Sequence, residues 1–155
     1  MPNPEDANIF RSTIPSNLDQ FADHHGVVDS LYAFQTMLDG KNWNEIQSAM
    51  QEDVHAYGVQ GVDEVLATMR THLDMCGATQ HMMGNVQVQL DGDRAATRSY
   101  FRAFHAGIDA NAGRSYECLG HYNDSWIRVG ARWKLSNRVI NVRAESGDRA
   151  VIALH

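Results

Sequence analysis

The chain has 155 residues, 43% hydrophobic and 21% charged, which suits one domain with a single core and excludes long disorder. Its 13 basic and 19 acidic residues give a formal charge of -6 with no basic cluster, so nucleic acid and anionic membrane are poor partners. Two cysteines without a CxxC pair build no disulfide framework, and no apolar run reaches the roughly 20 residues that span a bilayer, so a cytoplasmic protein is expected.

Residues 1–16 read as a polar lead-in. Met1 to Arg11 carries Glu5 and Asp6 and lacks the basic start and apolar run of a signal peptide. Ser16-Asn17-Leu18-Asp19 fits a capping box, with Ser16 accepting from the Asp19 amide. Val27, Leu31, Phe34 and Leu38 then recur at helical steps and form one apolar stripe. Val28, Tyr32, Gln35 and Asp39 run beside it, so Asp39 lies at the edge of the buried face. Gly40 interrupts, and Trp43, Ile46 and Met50 mark a short second helix.

Val54 to Val59 alternates like a brief strand, and Gly61 opens a third helix with Val62, Val65, Leu66, Met69 and Leu73 on one face. The stretch Gly77 to Asn85 reads as a turn that delivers His81 into the start of a strand. From there the period changes to two. Val86, Val88 and Leu90 alternate with glutamines, and Asp91-Gly92-Asp93 signals a hairpin into Arg94 to Ala106. A polar loop, Gly107 to Gly113, precedes a long strand from Ser115 to Arg128. Gly130-Ala131 turns the chain into a last strand from Trp133 to about Arg143. Helices followed by an antiparallel meander define an α+β domain, expected over residues 17–144, with an apolar pocket between the layers and a tail at 145–155.

Four segments together resemble the SnoaL-like group of the NTF2-like superfamily: Met37 to Trp43, Thr79-Gln80-His81 with Asn85, Leu119 to Asp124, and Arg132 to Leu135. The resemblance runs from about Leu18 to Arg143. It implies a cone-shaped roll, three N-terminal helices on a curved, largely antiparallel sheet around an apolar pocket. The superfamily includes scytalone dehydratase, bile acid dehydratase, lindane dehydrochlorinase, ketosteroid isomerase and polyketide cyclases. It also includes non-catalytic binding modules and the small subunits of ring-hydroxylating dioxygenases, so the fold by itself names no activity.

In the dehydratases and the dehydrochlorinase, an aspartate at the position of Asp39 and a histidine at that of His81 form a dyad. Such a carboxylate fixes the imidazole tautomer and raises the basicity of the free nitrogen. The resemblance therefore implies a cofactor-independent lyase or isomerase acting on a small, fairly apolar organic molecule. It puts His105 where scytalone dehydratase carries a second pocket histidine, able to hold a substrate oxygen or assist departure of water. Tyr57 and Tyr122 are candidate donors to a developing oxyanion. Tyr32, Met83, Phe101 and Trp126 are candidate wall residues, with Phe21 and Met69 as further apolar neighbours.

Three positions depart from the family pattern. Asn42 replaces a second acid before the tryptophan, Leu38 replaces the tyrosine that scytalone dehydratase has next to its aspartate, and Phe34 replaces a tyrosine common in relatives. Despite eight histidines there is no HExxH or paired Cys/His spacing, although His105 and His121 could approach on neighbouring strands. Walker and dinucleotide motifs are absent as well, so neither cofactor nor metal is expected. A homodimer or homotrimer is expected, because the outer face of such a sheet commonly packs on a copy of itself. The apolar tail Ala150 to Leu154 is a candidate to cover a neighbouring copy or to close the pocket.

Overall fold

A computed structural model describes residues 10–153, so the first nine residues of the expected lead-in and Leu154 of the tail lie outside the described residues. Helix α1 spans Leu18–Asp39. Its N-cap is Asn17, not Ser16: the Asn17 side chain accepts from the Gln20 amide at 2.9 Å, while the Gln20 side chain accepts from the amide and hydroxyl of Ser16. The box is shifted by one residue because Asn17 takes the extended conformation and has glutamine three residues on. Val27, Leu31, Phe34 and Leu38 are buried as one stripe, each contributing roughly 1.5–3 kcal/mol relative to exposure.

Helix α2, Trp43–Ser48, ends before Met50, which instead opens β1, Met50–Ala56. The expected strand to Val59 is cut by a turn at Tyr57-Gly58, whose φ angles of 54° and 77° fold β2, Val59–Gln60, back on His55 and Ala56. Only glycine adopts that conformation freely, so Tyr57 is held there by its surroundings. Helix α3 spans Val62–Leu73.

The largest correction concerns Gly77 to Asn85. These residues form no turn; they belong to a 16-residue strand, β3, Cys76–Asp91, paired along its length with β4, Arg94–Gly107. The turn signal of Gly84-Asn85 is spent on a bulge between Gly84 and Gln87, with Asn85 at φ 48°. His81 is thus a mid-strand residue. Strands β5, Ser115–Val129, and β6, Arg132–Gly147, complete a six-stranded sheet of order β2-β1-β6-β5-β4-β3, with β1 parallel to β6 and the other pairs antiparallel.

The three helices pack on one face of this sheet, giving the α+β architecture expected. At Gly120, where β5 and β6 slip register, a Cβ would lie 1.9 Å from the Asn141 carbonyl oxygen, so only glycine permits the approach. The opposite face exposes Met82, Tyr100, Phe104, Leu119 and Val139. Residues Arg11 to Thr13 follow the outer edge of β3, where the hydroxyls of Ser12 and Thr13 accept from the amides of Val88 and Leu90. No described helix is long and apolar enough to cross a membrane.

Candidate active site

The pairing register puts the inward residues of β3 to β6 in rows. One row runs His81, Ala103, Cys118, Glu145, and the next Met83, Phe101, Gly120, Val142. Together with Leu38 of α1, Tyr57 of the β1–β2 turn and Met69 of α3, these rows, apart from Met83 and Gly120, wall a pocket of about 330 Å³. Larger clefts of about 510 and 540 Å³ lie beneath Arg11 to Thr13 and between α1 and the start of β6, but neither holds a bonded acid–base pair. The smaller pocket does.

Asp39, the last residue of α1, reaches the outer edge of β3. Its Oδ1 accepts from His81 Nδ1 at 2.7 Å and from the Thr79 hydroxyl at 3.0 Å, and its Oδ2 accepts from the His81 backbone amide at 3.0 Å. An edge strand has unpaired amides, and the carboxylate takes one of them while holding the ring of the same residue. Burial alone pushes the Asp39 carboxyl up. The bonds from the His81 ring and amide, its charge, and the Thr79 bond outweigh this and hold the pKa below the ordinary aspartate value. The His81 side chain is 7% exposed and that of Asp39 26%. With Nδ1–H committed to the ionised Asp39, Nε2 of the neutral ring is the basic nitrogen.

His105 lies edge-on to His81, ring centroids 5.5 Å apart, and its Nδ1 meets the Tyr116 carbonyl at 3.3 Å. Burial, then the charge of His81, lowers its pKa to about 4. Tyr122 stacks on Phe101 at 4.3 Å, with the Arg138 guanidinium 4.2 Å above its other face. Tyr57 also reaches Arg138. Burial raises the pKa of both phenols, against the pull of that cation, so both stay protonated donors.

Sequence reasoning missed Arg138 and Asp124. They form a two-pronged ion pair at 2.9 and 2.8 Å with both side chains fully buried, and Arg138 Nη1 has no partner. The signal was present for the acid: Asp124 shares strand parity with Tyr122 and Trp126, and an inward carboxylate requires a cation. Arg138 is harder to foresee, because slips between strand partners break the parity of β6. Also missed were Tyr116, whose hydroxyl donates to Glu145 at 2.5 Å, and the Glu145–Arg149 ion pair at the rim.

Of the remaining wall candidates, Phe101 lines the pocket. Met83 packs between the main core and the Phe101–Tyr122 cluster. Trp126 sits in the main core, donating to the Thr97 hydroxyl at 3.0 Å, outside the pocket wall. Tyr32 is exposed on the flank of α1 and Phe21 more so, since the stripe through Gln35 and Asp39 turns away from the core there. The tail is a wall: residues Arg149–Val151 form a single 3-10 turn, and Arg149 and Ile152 line the pocket mouth. His105 faces inward whereas His121 pairs with Tyr100 and Asn141 on the alternate face, and no described trio of His, Cys, Asp or Glu could hold a metal.

This helix-and-sheet roll has the NTF2-like fold. Residues 19–139 match the SnoaL-like domain model, and the chain belongs to that family. Among solved structures it is similar to a candidate aromatic ring hydroxylase from Novosphingobium aromaticivorans, at 19% identity and TM-score 0.76, covering 90% of this chain and 99% of that one. It is also similar to a candidate scytalone dehydratase from the same organism, at 18% identity and TM-score 0.70, covering 81% and 87%. A third is the hexachlorocyclohexane dehydrochlorinase LinA-type3 from Novosphingobium barchaimii, at 15% identity and TM-score 0.73, covering 85% and 94%. No curated protein sequence matches the chain. Likeness at these identities establishes the fold and leaves the activity to the site.

Proposed function

We propose that the protein is a cofactor-independent lyase or isomerase in which His81, oriented by Asp39, removes a proton from carbon in a small, fairly apolar molecule. The observation that carries this reading is the 2.7 Å bond between Asp39 and His81 Nδ1 at the wall of an apolar pocket. His81 Nε2 takes the proton, and the C–H electrons form a double bond. Either a leaving group on the neighbouring carbon departs with its bonding pair, or the electrons pass to a carbonyl and the proton returns elsewhere. Asp39 stabilises the imidazolium that results. Tyr57 and Tyr122 supply hydrogen bonds to a developing oxyanion without changing charge, and Arg138 strengthens them as donors. The dehydratase and dehydrochlorinase names of the structural neighbours support this reaction type.

The test combines a titration with a turnover screen. Asp39→Asn should lower the His81 pKa measured by NMR, and His81→Ala should cut kcat/KM by roughly 10²–10⁴ on any hydroxy or halo carbonyl substrate that the wild type eliminates. Turnover indifferent to both substitutions rejects the mechanism and leaves a ligand-binding module.

A further inference from the structure

The second histidine is an acceptor, and that specifies what its ligand must offer. His105 is 6% exposed and lines the pocket. Its Nδ1 faces the carbonyl oxygen of Tyr116, its own cross-strand partner. A carbonyl can only accept, so Nδ1 carries the ring proton. A neutral imidazole has only one such proton, and Nε2 is left as a bare lone pair. Ring geometry turns Nε2 away from the Tyr116 carbonyl, and no described residue hydrogen-bonds it. Among the described residues its aromatic neighbours are His81, edge-on, and Tyr116, tilted.

The neighbourhood keeps the ring in that state. Burial and the approach of His81 both oppose a second positive charge, and the low pKa agrees with the geometry. Asp124 is matched by Arg138 and Glu145 by Arg149, and the Asp39 carboxylate, outside the pocket lining, is already met by hydrogen bonds from His81 and Thr79. An ionic ligand would add an uncompensated charge, whereas a neutral ligand without a donor would leave Nε2 buried and unsatisfied.

We propose that His105 Nε2 is a recognition site for a hydroxyl or amine N–H donor on an uncharged, otherwise apolar ligand. This rests on the reading of the pocket as a substrate site, and it reverses one expectation drawn from resemblance: His105 does not protonate a departing group.

Three matched bicyclic probes test this by equilibrium binding: 2-naphthol, 2-methoxynaphthalene, which accepts but cannot donate, and naphthalene. The wild type should bind 2-naphthol about ten-fold more tightly than either relative, the usual cost of one unmet buried hydrogen bond. In His105→Phe, which keeps an aromatic ring of similar size, that ratio should fall to about one. Equal binding of all three by the wild type, as when an ordered water already serves Nε2, overturns the proposal. So does a preference that survives in His105→Phe, which would assign it to a tyrosine or to Glu145. As a check that does not depend on the variant folding, ¹⁵N NMR of the wild type should report the Nδ1–H tautomer for His105, and the Nε2–H tautomer overturns it. Binding ratios need no turnover, so a protein that selects 2-naphthol through His105 yet catalyses nothing breaks the catalytic reading alone. One whose turnover depends on His81 while the ratio is one breaks this proposal alone.

Discussion

Among the aspartates that hold a basic partner, Asp39 and Asp124 make the sharpest contrast, one suited to moving a proton and the other fixed. Asp39–His81 sits at the open edge of β3, with Asp39 a quarter exposed and an imidazole partner whose second ring nitrogen is free to accept a proton. Asp124–Arg138 spans two central strands with both side chains wholly buried, and burial of the guanidinium, which disfavours its charge, is overcome by Asp124. Arginine does not release its proton in this setting. The first pair can therefore exchange protons with a ligand, and the second can only orient and polarise the phenols of Tyr57 and Tyr122.

The largest effect should come from breaking the buried pair. Arg138→Met alone leaves a carboxylate buried without its cation and should cost about 3–5 kcal/mol in urea unfolding, as should removing Asp124 alone. Replacing both together with apolar residues should recover most of that loss, since a buried ion pair adds little net stability. If the single and double variants are equally unstable, the pair is a structural keystone and the contrast with Asp39–His81 fails.

The next effect belongs to His105. Its folded pKa of about 4 lies below the ordinary histidine value of 6.5, so the unfolded chain binds the proton more readily. The associated stability is fully present above pH 6.5 and is lost as pH falls toward 4, by about 3 kcal/mol in total. Unfolding free energies of wild type and His105→Phe should therefore diverge in slope across that window, the variant being flatter. Parallel slopes would mean that the ring is not held neutral. Asp39, with a depressed folded pKa, loses its contribution only at still lower pH, which keeps the two titrations apart.

The smallest effect concerns access to the pocket. The carbonyls of Ala150, Val151 and Ile152 are held by Asn111, Cys76 and His72, one side chain each, and only Val151 of the closing turn is fully buried. Each such bond contributes on the order of 1 kcal/mol. His72→Ala should raise the association and dissociation rates of a fluorescent naphthalene probe together, by several-fold in stopped-flow, with little change in Kd. A change in dissociation alone would mark the turn as a fixed wall.

The periodicities exposed most of the fold. A 3.6-residue stripe ending at Asp39 and a two-residue period after Val86 were both legible, because each element buries one face. What misled was punctuation. Gly77, Gly84 and Asn85 read as turn residues, yet a long paired strand absorbs them at two register shifts, and the pairing with β4 that overrides local signals is not local information. Likewise Met50 fits the helical spacing of Ile46 but belongs to the next strand. At the site, Asp39 and His81 were legible through family resemblance, not through spacing. Tyr57 was placed on a strand and is in a left-handed turn that points it at Arg138. Arg138 itself was hidden by register slips, which no alternation rule carries across.

Because Asp39 bonds the main chain of His81 as well as its ring, the imidazole is aligned by a helix end and a strand edge, both outside the row of residues that shape the pocket from β5 and β6. Frame and lining are thereby uncoupled. Substitutions at Cys118, Ile140 or Val142 can recut the space available to a guest while the His81 ring keeps its address.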